Sequence, residues 1–123
     1  MKCFMPQEIE VWYIIPYLRA EIAKDLISKN IPQRKVAQIL GVTESAISQY
    51  VNNKRANRID LNSELRSDIG RAAERLTKNS NIITEMQQIC NKIRKTEILC
   101  RIHKQYNKNL PKDCRICIEE GFY

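Results

Sequence analysis

Glycine, proline and aromatic residues are scarce in this chain. Its 123 residues include three Gly, four Pro, five Tyr, two Phe and one Trp. So little Gly and Pro excludes collagen-like and linker-like sequences. The hydrophobic fraction of 43% and the charged fraction of 28% are typical of a folded protein rather than a disordered one. A chain of this length has room for one compact domain and an extension.

Long hydrophobic runs are also absent. The longest run covers residues 11–18 and is interrupted by Pro16, far short of the roughly 20 residues that cross a bilayer. The first residues show no basic stretch followed by an apolar segment and a small-residue cleavage site, so no secretory signal is predicted. We therefore expect a cytoplasmic protein with no membrane partner.

Positive charge is in excess. The chain has 21 Lys and Arg against 14 Asp and Glu, a formal charge of +7 and an isoelectric point near 9.3. Such a balance is typical of proteins that bind nucleic acid, although net charge alone is a weak indication.

Apolar residues recur at helical spacing, which predicts an all-α fold. A first helix is predicted to begin with Pro16 in its first turn, where the missing N–H costs nothing, and to end at the Ile31-Pro32 step. Two short helices are predicted on either side of Gly41. They are too short to be stable alone and must pack on the first helix.

The chain divides into three predicted segments. Residues 1–60 form a helix-turn-helix DNA-binding domain, residues 61–99 a helical arm that also serves dimerisation, and residues 90–123 a Cys-rich tail that binds a metal or cluster. Asn62 and Ser63 are capping candidates for the first helix of the arm. The two helices of the arm carry apolar stripes suited to docking, formed by Leu65, Ile69, Ala72, Ala73 and Leu76 and by Ile82, Met86, Ile89 and Ile93.

The middle of the first segment has the pattern of a helix-turn-helix. Ala37 is small where the two helices would cross, and Gly41 permits the backbone conformation of a tight turn. Val42 and Ile47 are the apolar residues that would fix the crossing angle, and Thr43 would cap the second helix. Two short helices around a glycine also occur in proteins that never bind DNA, but the agreement of these positions with nearby basic residues favours DNA binding.

Polar and basic side chains follow at the positions where such a motif meets DNA. Serine and glutamine suit base recognition because they both donate and accept hydrogen bonds in the major groove. The outward positions of the second helix are Glu44, Ser45, Ser48 and Gln49. Lysine and arginine after the helix would neutralise phosphates and release counterions. The polar and basic residues there are Asn52, Asn53, Lys54, Arg55 and Arg58.

This region resembles the phage-repressor-like (Xre-type) helix-turn-helix transcriptional regulators, and within them a group of archaeal regulators with a Cys-rich C-terminal tail. The residues that carry the resemblance are Met1-Lys2-Cys3, Val11-Trp12, Ile15-Pro16, Leu18-Arg19, residues 23–26, Gly41-Val42-Thr43, residues 46–50 and Lys54-Arg55. The resemblance implies a lambda-repressor-like domain in which Gln33 and Asn52 contact phosphates. It also implies that Glu44, Ser45, Ser48 and Gln49 face bases. Glu44 departs from the neutral residue that is usual there, which leaves the operator sequence open.

Four of the five cysteines lie between residues 90 and 123. In a chain without a secretion signal, such clustering indicates metal binding or redox chemistry rather than disulfides. Cys114 and Cys117 form a Cys-x2-Cys turn, and with Cys90 and Cys100 they make a four-thiolate set suited to an iron–sulfur cluster, [4Fe-4S], or to zinc. The alternative set replaces Cys90 with His103 and gives a zinc site of three Cys and one His, which leaves Cys90 as a core thiol.

The positive charge around the cysteines favours the iron–sulfur cluster over zinc. Basic residues around the cysteines would lower thiol pKa values and offset the negative charge of a four-thiolate cluster. These residues are Lys92, Arg94, Lys95, Arg101, Lys104, Lys112 and Arg115. The four-Cys set also leaves Cys3 as the only unused thiol. Reduced thiols or reversible disulfides are the third alternative.

Together these patterns predict a sequence-specific DNA-binding transcriptional regulator whose tail senses redox, oxygen or iron status. The alternative is the same regulator with a structural zinc. An antitoxin-like interaction protein would not need four cysteines. A thiol enzyme using Cys100 near His103 lacks a phosphate-binding glycine loop and paired carboxylates, so we expect no enzymatic activity and no small-molecule substrate. We expect a homodimer, because one such domain reads only a few base pairs and two-fold pairing sets two recognition helices about 34 Å apart.

Overall fold

The computed structural model of the protein describes residues 5–52, 61–98 and 100–102. Its elements are α1 (Pro6–Ile9), a π-helical turn (Glu10–Ile14), α2 (Ile15–Ser28), α3 (Gln33–Leu40), α4 (Glu44–Asn52), α5 (Ser63–Thr77) and α6 (Ile82–Arg94). Every regular element in these ranges is helical, which confirms the predicted all-α fold for this part of the chain. The predicted Cys-rich site extends beyond the described residues.

Pro16 lies in the first turn of α2, as predicted, but helical residues precede it from Pro6 onward. Pro16 has no N–H to donate to the carbonyl of Trp12, and its ring would press on that carbonyl in a regular α-helix. The π turn before it is wider, with the Ile15 N–H bonded to the Glu10 carbonyl, and it accommodates the ring. The predicted place of Pro16 in a first helical turn is therefore confirmed, whereas the π turn and α1 before it were not predicted.

One hydrophobic core joins all of these helices. The side chains of Leu18, Ile22 and Leu26 on α2 are fully buried, and α3, α4, α5 and α6 all pack against this helix. The first predicted stripe of the arm is buried in this core at every position, namely Leu65, Ile69, Ala72, Ala73 and Leu76. Of the second stripe, Ile89 and Ile93 are buried, and Ile82 and Met86 are partly buried against the same core. Thus α5 and α6 cover the helix-turn-helix. No helix among the described residues is long and apolar enough to span a membrane.

Ion pairs hold α6 on α5. The Arg75 Nε donates to both carboxylate oxygens of Glu85 at 2.7 and 2.8 Å, and only 2% of the Glu85 side chain is exposed. The Lys92 Nζ lies 2.9 Å from the Asp68 Oδ2. Burial raises the pKa of Asp68, but hydrogen bonds from Lys92 and Arg71 outweigh it, so the pKa of this carboxyl is lowered overall. Asp68 therefore stays ionised and paired at neutral pH.

Asparagine side chains fix the starts of both helices. The Asn62 Oδ1 accepts the Leu65 N–H at 2.8 Å, and the Asn81 Oδ1 accepts the Ile83 N–H at 2.7 Å. Each bond satisfies one backbone donor that the first helical turn leaves unpaired. Of the two predicted capping candidates, Asn62 is the cap and Ser63 is the first residue of α5.

A second buried ion pair joins α6 to the start of the chain. The Arg94 Nε donates to the Glu10 Oε2 at 3.0 Å, and Arg94 Nη2 donates to Glu10 Oε1. The side chains are only 11% and 6% exposed. This pair connects residues 84 positions apart, so the π turn and the end of α6 are held side by side.

Candidate nucleic-acid interface

The turn between α3 and α4 depends on Gly41. Its φ of 69° lies in the left-handed region, which L-residues with a side chain rarely adopt. The Val42 N–H bonds to the Ala37 carbonyl at 3.0 Å, and the Gly41 N–H bonds to the Gln38 carbonyl at 3.3 Å. A Cβ at Gly41 would meet no atom within 4 Å. The glycine is needed for its backbone conformation and not for space.

Thr43 starts the second helix as predicted. Its Oγ1 accepts the Ala46 N–H at 3.1 Å, and its carbonyl accepts the Ile47 N–H at 3.2 Å. Ile47 is fully buried and Val42 is partly buried against the same core, while Ala37 is 5% exposed where α3 meets α4. These contacts set the orientation of α4 on α3.

The predicted base-facing residues lie on the solvent side of α4. Glu44, Ser45 and Gln49 are exposed, and Ser48 is half-buried. The Ser48 Oγ donates to the Oε1 of the exposed Gln33 at 3.4 Å, so the start of α3 lies beside α4. Asn52, exposed at the end of α4, completes the predicted residues that the structure describes. Lys54, Arg55 and Arg58 lie outside the described residues.

Two exposed basic residues next to Gln33 are absent from the predicted site. Arg34 and Lys35 follow Gln33 in the first turn of α3, and both are exposed. Neither takes part in an ion pair within the described ranges. Lys35 lines a cavity beside the connection from α5 to α6, whereas Gln33 contacts α4. The guanidinium of Arg34 is therefore the candidate phosphate contact. In the sequence, the run of Gln33, Arg34 and Lys35 at the start of the helix could have indicated these basic residues.

The comparison with known families agrees with this geometry. A helix-turn-helix family model matches residues 22–60, about a third of the chain, which takes in the second half of α2, all of α3 and α4, and the turn between them. The predicted lambda-repressor-like helix-turn-helix is confirmed for this segment, and such a domain is a DNA-binding unit of transcriptional regulators. The narrower resemblance to archaeal regulators with Cys-rich tails stays a prediction. No curated protein and no solved structure matches the chain.

Two of the predicted sulfur ligands lie in the described part of the chain. Cys90 on α6 is 4% exposed and Cys100 is 5% exposed. Cys3, His103, Cys114 and Cys117 lie outside it. Within the described ranges, no three His, Cys, Asp or Glu side chains are grouped closely enough to hold a metal ion. The choice of ligand set therefore depends on how well Cys90 suits the role.

The surroundings of Cys90 oppose thiolate formation. The pKa of its thiol is raised to about 11, first by burial and then by the nearby Glu10 carboxylate, and Arg94 offsets part of this rise. The expectation that basic neighbours lower the pKa of the clustered thiols is thus wrong for Cys90, because desolvation outweighs the single arginine. A bound metal ion deprotonates its own thiol ligands, so this pKa belongs to the metal-free chain and does not choose between the two ligand sets. The position of Cys90 is informative, because its side chain packs in the hydrophobic core cluster. It fits the core thiol of the alternative set.

Proposed function

We propose that this protein is a sequence-specific transcriptional regulator that reads DNA with α4. The observation that carries the proposal is an exposed polar helix face held in fixed orientation by the Gly41 turn and the Thr43 cap. This arrangement lies within the segment that matches the helix-turn-helix family. A helix so presented has the size and the polar side chains to enter the major groove.

The side chains divide into two roles. Gln49 and Ser48 donate and accept at base edges, and Ser45 lies on the same exposed side. Glu44 is an acceptor without a donor, so it favours cytosine, whose N4 amino group donates in the major groove, and repels phosphate.

A second set binds the DNA backbone without reading sequence. Gln33 and Arg34 at the start of α3 contact the phosphates on one side. Asn52, Lys54, Arg55 and Arg58, at or after the end of α4, are the residues proposed for the other side. Because phosphates are the same at every step, replacing one of these residues weakens binding to all sequences alike.

The regulator acts as a homodimer in this proposal. One α4 spans only a few base pairs, which is too little sequence to define an operator, whereas two helices about 34 Å apart read two half-sites in successive major grooves. The enriched DNA sequence is then two-fold symmetric.

DNA selection followed by a salt titration tests the proposal. The full chain is used to select from a pool of random duplexes, and the best duplex is titrated at rising salt. We expect enrichment of one symmetric sequence and a log–log slope of about −5 to −7, because a dimer that neutralises about six to eight phosphates releases their counterions. A pool that stays random, or a slope near zero, would contradict the proposal.

For the tail, we propose a zinc site formed by Cys100, His103, Cys114 and Cys117. Cys90 packs in the hydrophobic core cluster, to which Cys100 does not belong, and this supports the set without Cys90 over the four-Cys set. Zinc bound there would join the tail to the helical core without redox chemistry. The four-Cys [4Fe-4S] sensor of redox, oxygen or iron status remains the competing hypothesis.

Metal and sulfide analysis separates the two hypotheses. The chain is purified without oxygen, alongside the Cys90→Ser variant. One zinc per chain and no sulfide, retained in Cys90→Ser, supports the zinc site. About four irons and four sulfides, with absorption near 400 nm that is lost in Cys90→Ser, supports the cluster sensor instead.

A further inference from the structure

A groove runs between the first helix and α6, away from the exposed face of α4. Its cavity has a volume of about 530 Å³, within the range of small-molecule sites. Val11 and Ile15 form one wall, and Ile83 and Met86 form the other. Leu40, the last residue of α3, closes one end. We call this feature the α6 groove.

Two of these apolar side chains are unusually exposed. Val11 is 58% and Ile83 is 68% exposed, although each has apolar neighbours across the groove. Covering such side chains removes apolar surface from water, which favours binding of an apolar chain by up to about fourfold per buried methylene.

The charged groups of the groove leave one cation available. Glu10 and Arg94 line it, but they form the buried ion pair described above and neutralise each other. Arg19 on α2 also lines the groove, is only partly exposed, and forms no ion pair within the described residues. The remaining polar lining is the amides of Gln7 and Gln87. The groove is thus apolar along its walls with a net positive charge.

We propose that the α6 groove binds a small amphipathic anion, of the class of medium-chain carboxylates. The hydrocarbon chain lies between Val11 and Ile83, and the carboxylate pairs with the Arg19 guanidinium. Arginine suits this role because its planar fork matches a carboxylate. Since Leu40 and Gly41 belong to the lining, a bound chain contacts the turn between α3 and α4.

Calorimetric titration of the full chain with octanoate tests the proposal. We expect saturable binding with one site per chain, weaker binding of hexanoate because fewer methylenes are buried, and weaker binding of octylamine because its charge is reversed. No saturable heat with octanoate, or equal affinity for octylamine, would overturn it. A result of either kind is independent of whether the protein binds DNA.

Matched variants locate the site. Arg19→Gln is expected to weaken octanoate binding about two- to fivefold, the value of one partly exposed ion pair. Arg66→Gln, the same change on the exposed surface of α5, corrects for the loss of net positive charge and should leave affinity unchanged. Ile83→Ser removes an exposed apolar wall without touching the core and should also weaken binding. Equal affinities for Arg19→Gln and Arg66→Gln would place any binding elsewhere and overturn the proposal.

Discussion

At Gly41 the identity of a single residue decides whether α3 can turn into α4. A side chain there has space but must take a left-handed backbone, so Gly41→Ala should cost about 1–2 kcal/mol of the free energy of unfolding. Gly70→Ala is the matched control, because Gly70 lies within α5 and its Cβ would also meet nothing within 4 Å. That change should stabilise the protein by about 0.5–1 kcal/mol. Urea unfolding of both variants measures the difference, and equal effects would contradict the assignment.

The pKa of the Cys90 thiol is raised, whereas the basic residues near it in the sequence predict a lowered one. With its pKa raised to about 11 and its side chain buried, Cys90 should react with iodoacetamide at pH 7.5 far more slowly in the folded protein than in urea, because the thiolate is the reactive form. Mass mapping of the alkylated peptides follows Cys90 separately from the other cysteines. Reaction of Cys90 at the unfolded rate would show that the thiol is accessible and ionised.

The same shift predicts how this thiol affects stability at high pH. The unfolded chain releases the Cys90 proton near the ordinary pKa of 9.0, whereas the folded chain keeps it to about 11. The contribution of the thiol to stability is therefore complete below pH 9 and is lost as the pH rises toward 11. Unfolding free energies of the protein and of Cys90→Ala between pH 8 and 11 should show a shallower decline in the variant. Parallel declines would contradict the raised pKa.

Among the elements, the π turn and α6 are joined by the Glu10 and Arg94 ion pair. Glu10→Gln leaves a nearly buried arginine without its carboxylate and should lower stability by about 3 kcal/mol. Glu74→Gln is the control, since its side chain is 55% exposed in its ion pairs with Lys29 and Lys78 and should cost under about 1 kcal/mol. Thermal and urea unfolding measure both.

A double variant separates the loss of the ion pair from the cost of leaving one buried charge unpaired. Glu10→Met with Arg94→Leu replaces both charged groups with apolar ones, and it should recover much of the stability that Glu10→Gln loses. If Glu10→Gln proved as mild as Glu74→Gln, or if the double variant were less stable than Glu10→Gln, the pair would not hold these elements together.

Local sequence signals predicted the elements around the site well. Gly41, Thr43 and Asn62 act through bonds to residues three or four positions away, so their roles can be inferred from spacing alone. The helical residues before Pro16 could not be inferred in this way, because a proline in a first turn has the same local sequence whether or not a π turn precedes it. The ion pair between Glu10 and Arg94 could not be predicted either, since nothing in the local sequence of one residue indicates a partner 84 positions away.

At the scale of the whole molecule, α5 and α6 share the core that supports the helix-turn-helix. Leu65, Ile69 and Ile93 pack in the same cluster as Leu18 and Ile22 on α2. The apolar stripes predicted these faces but not what they would cover, because periodicity gives the buried side of a helix and not its neighbour. The orientation of α4 therefore depends on the fold of residues far beyond the matched segment.

The central claim, that α4 reads base sequence, is tested most directly by running the DNA selection in parallel for the protein, Gln49→Ala and Arg66→Ala. Gln49 is exposed on α4, and Arg66 is exposed on α5. We predict that Gln49→Ala relaxes the preference at one position in each half-site, while Arg66→Ala selects the same sequence as the unchanged protein. Identical enriched sequences for all three proteins would contradict the claim.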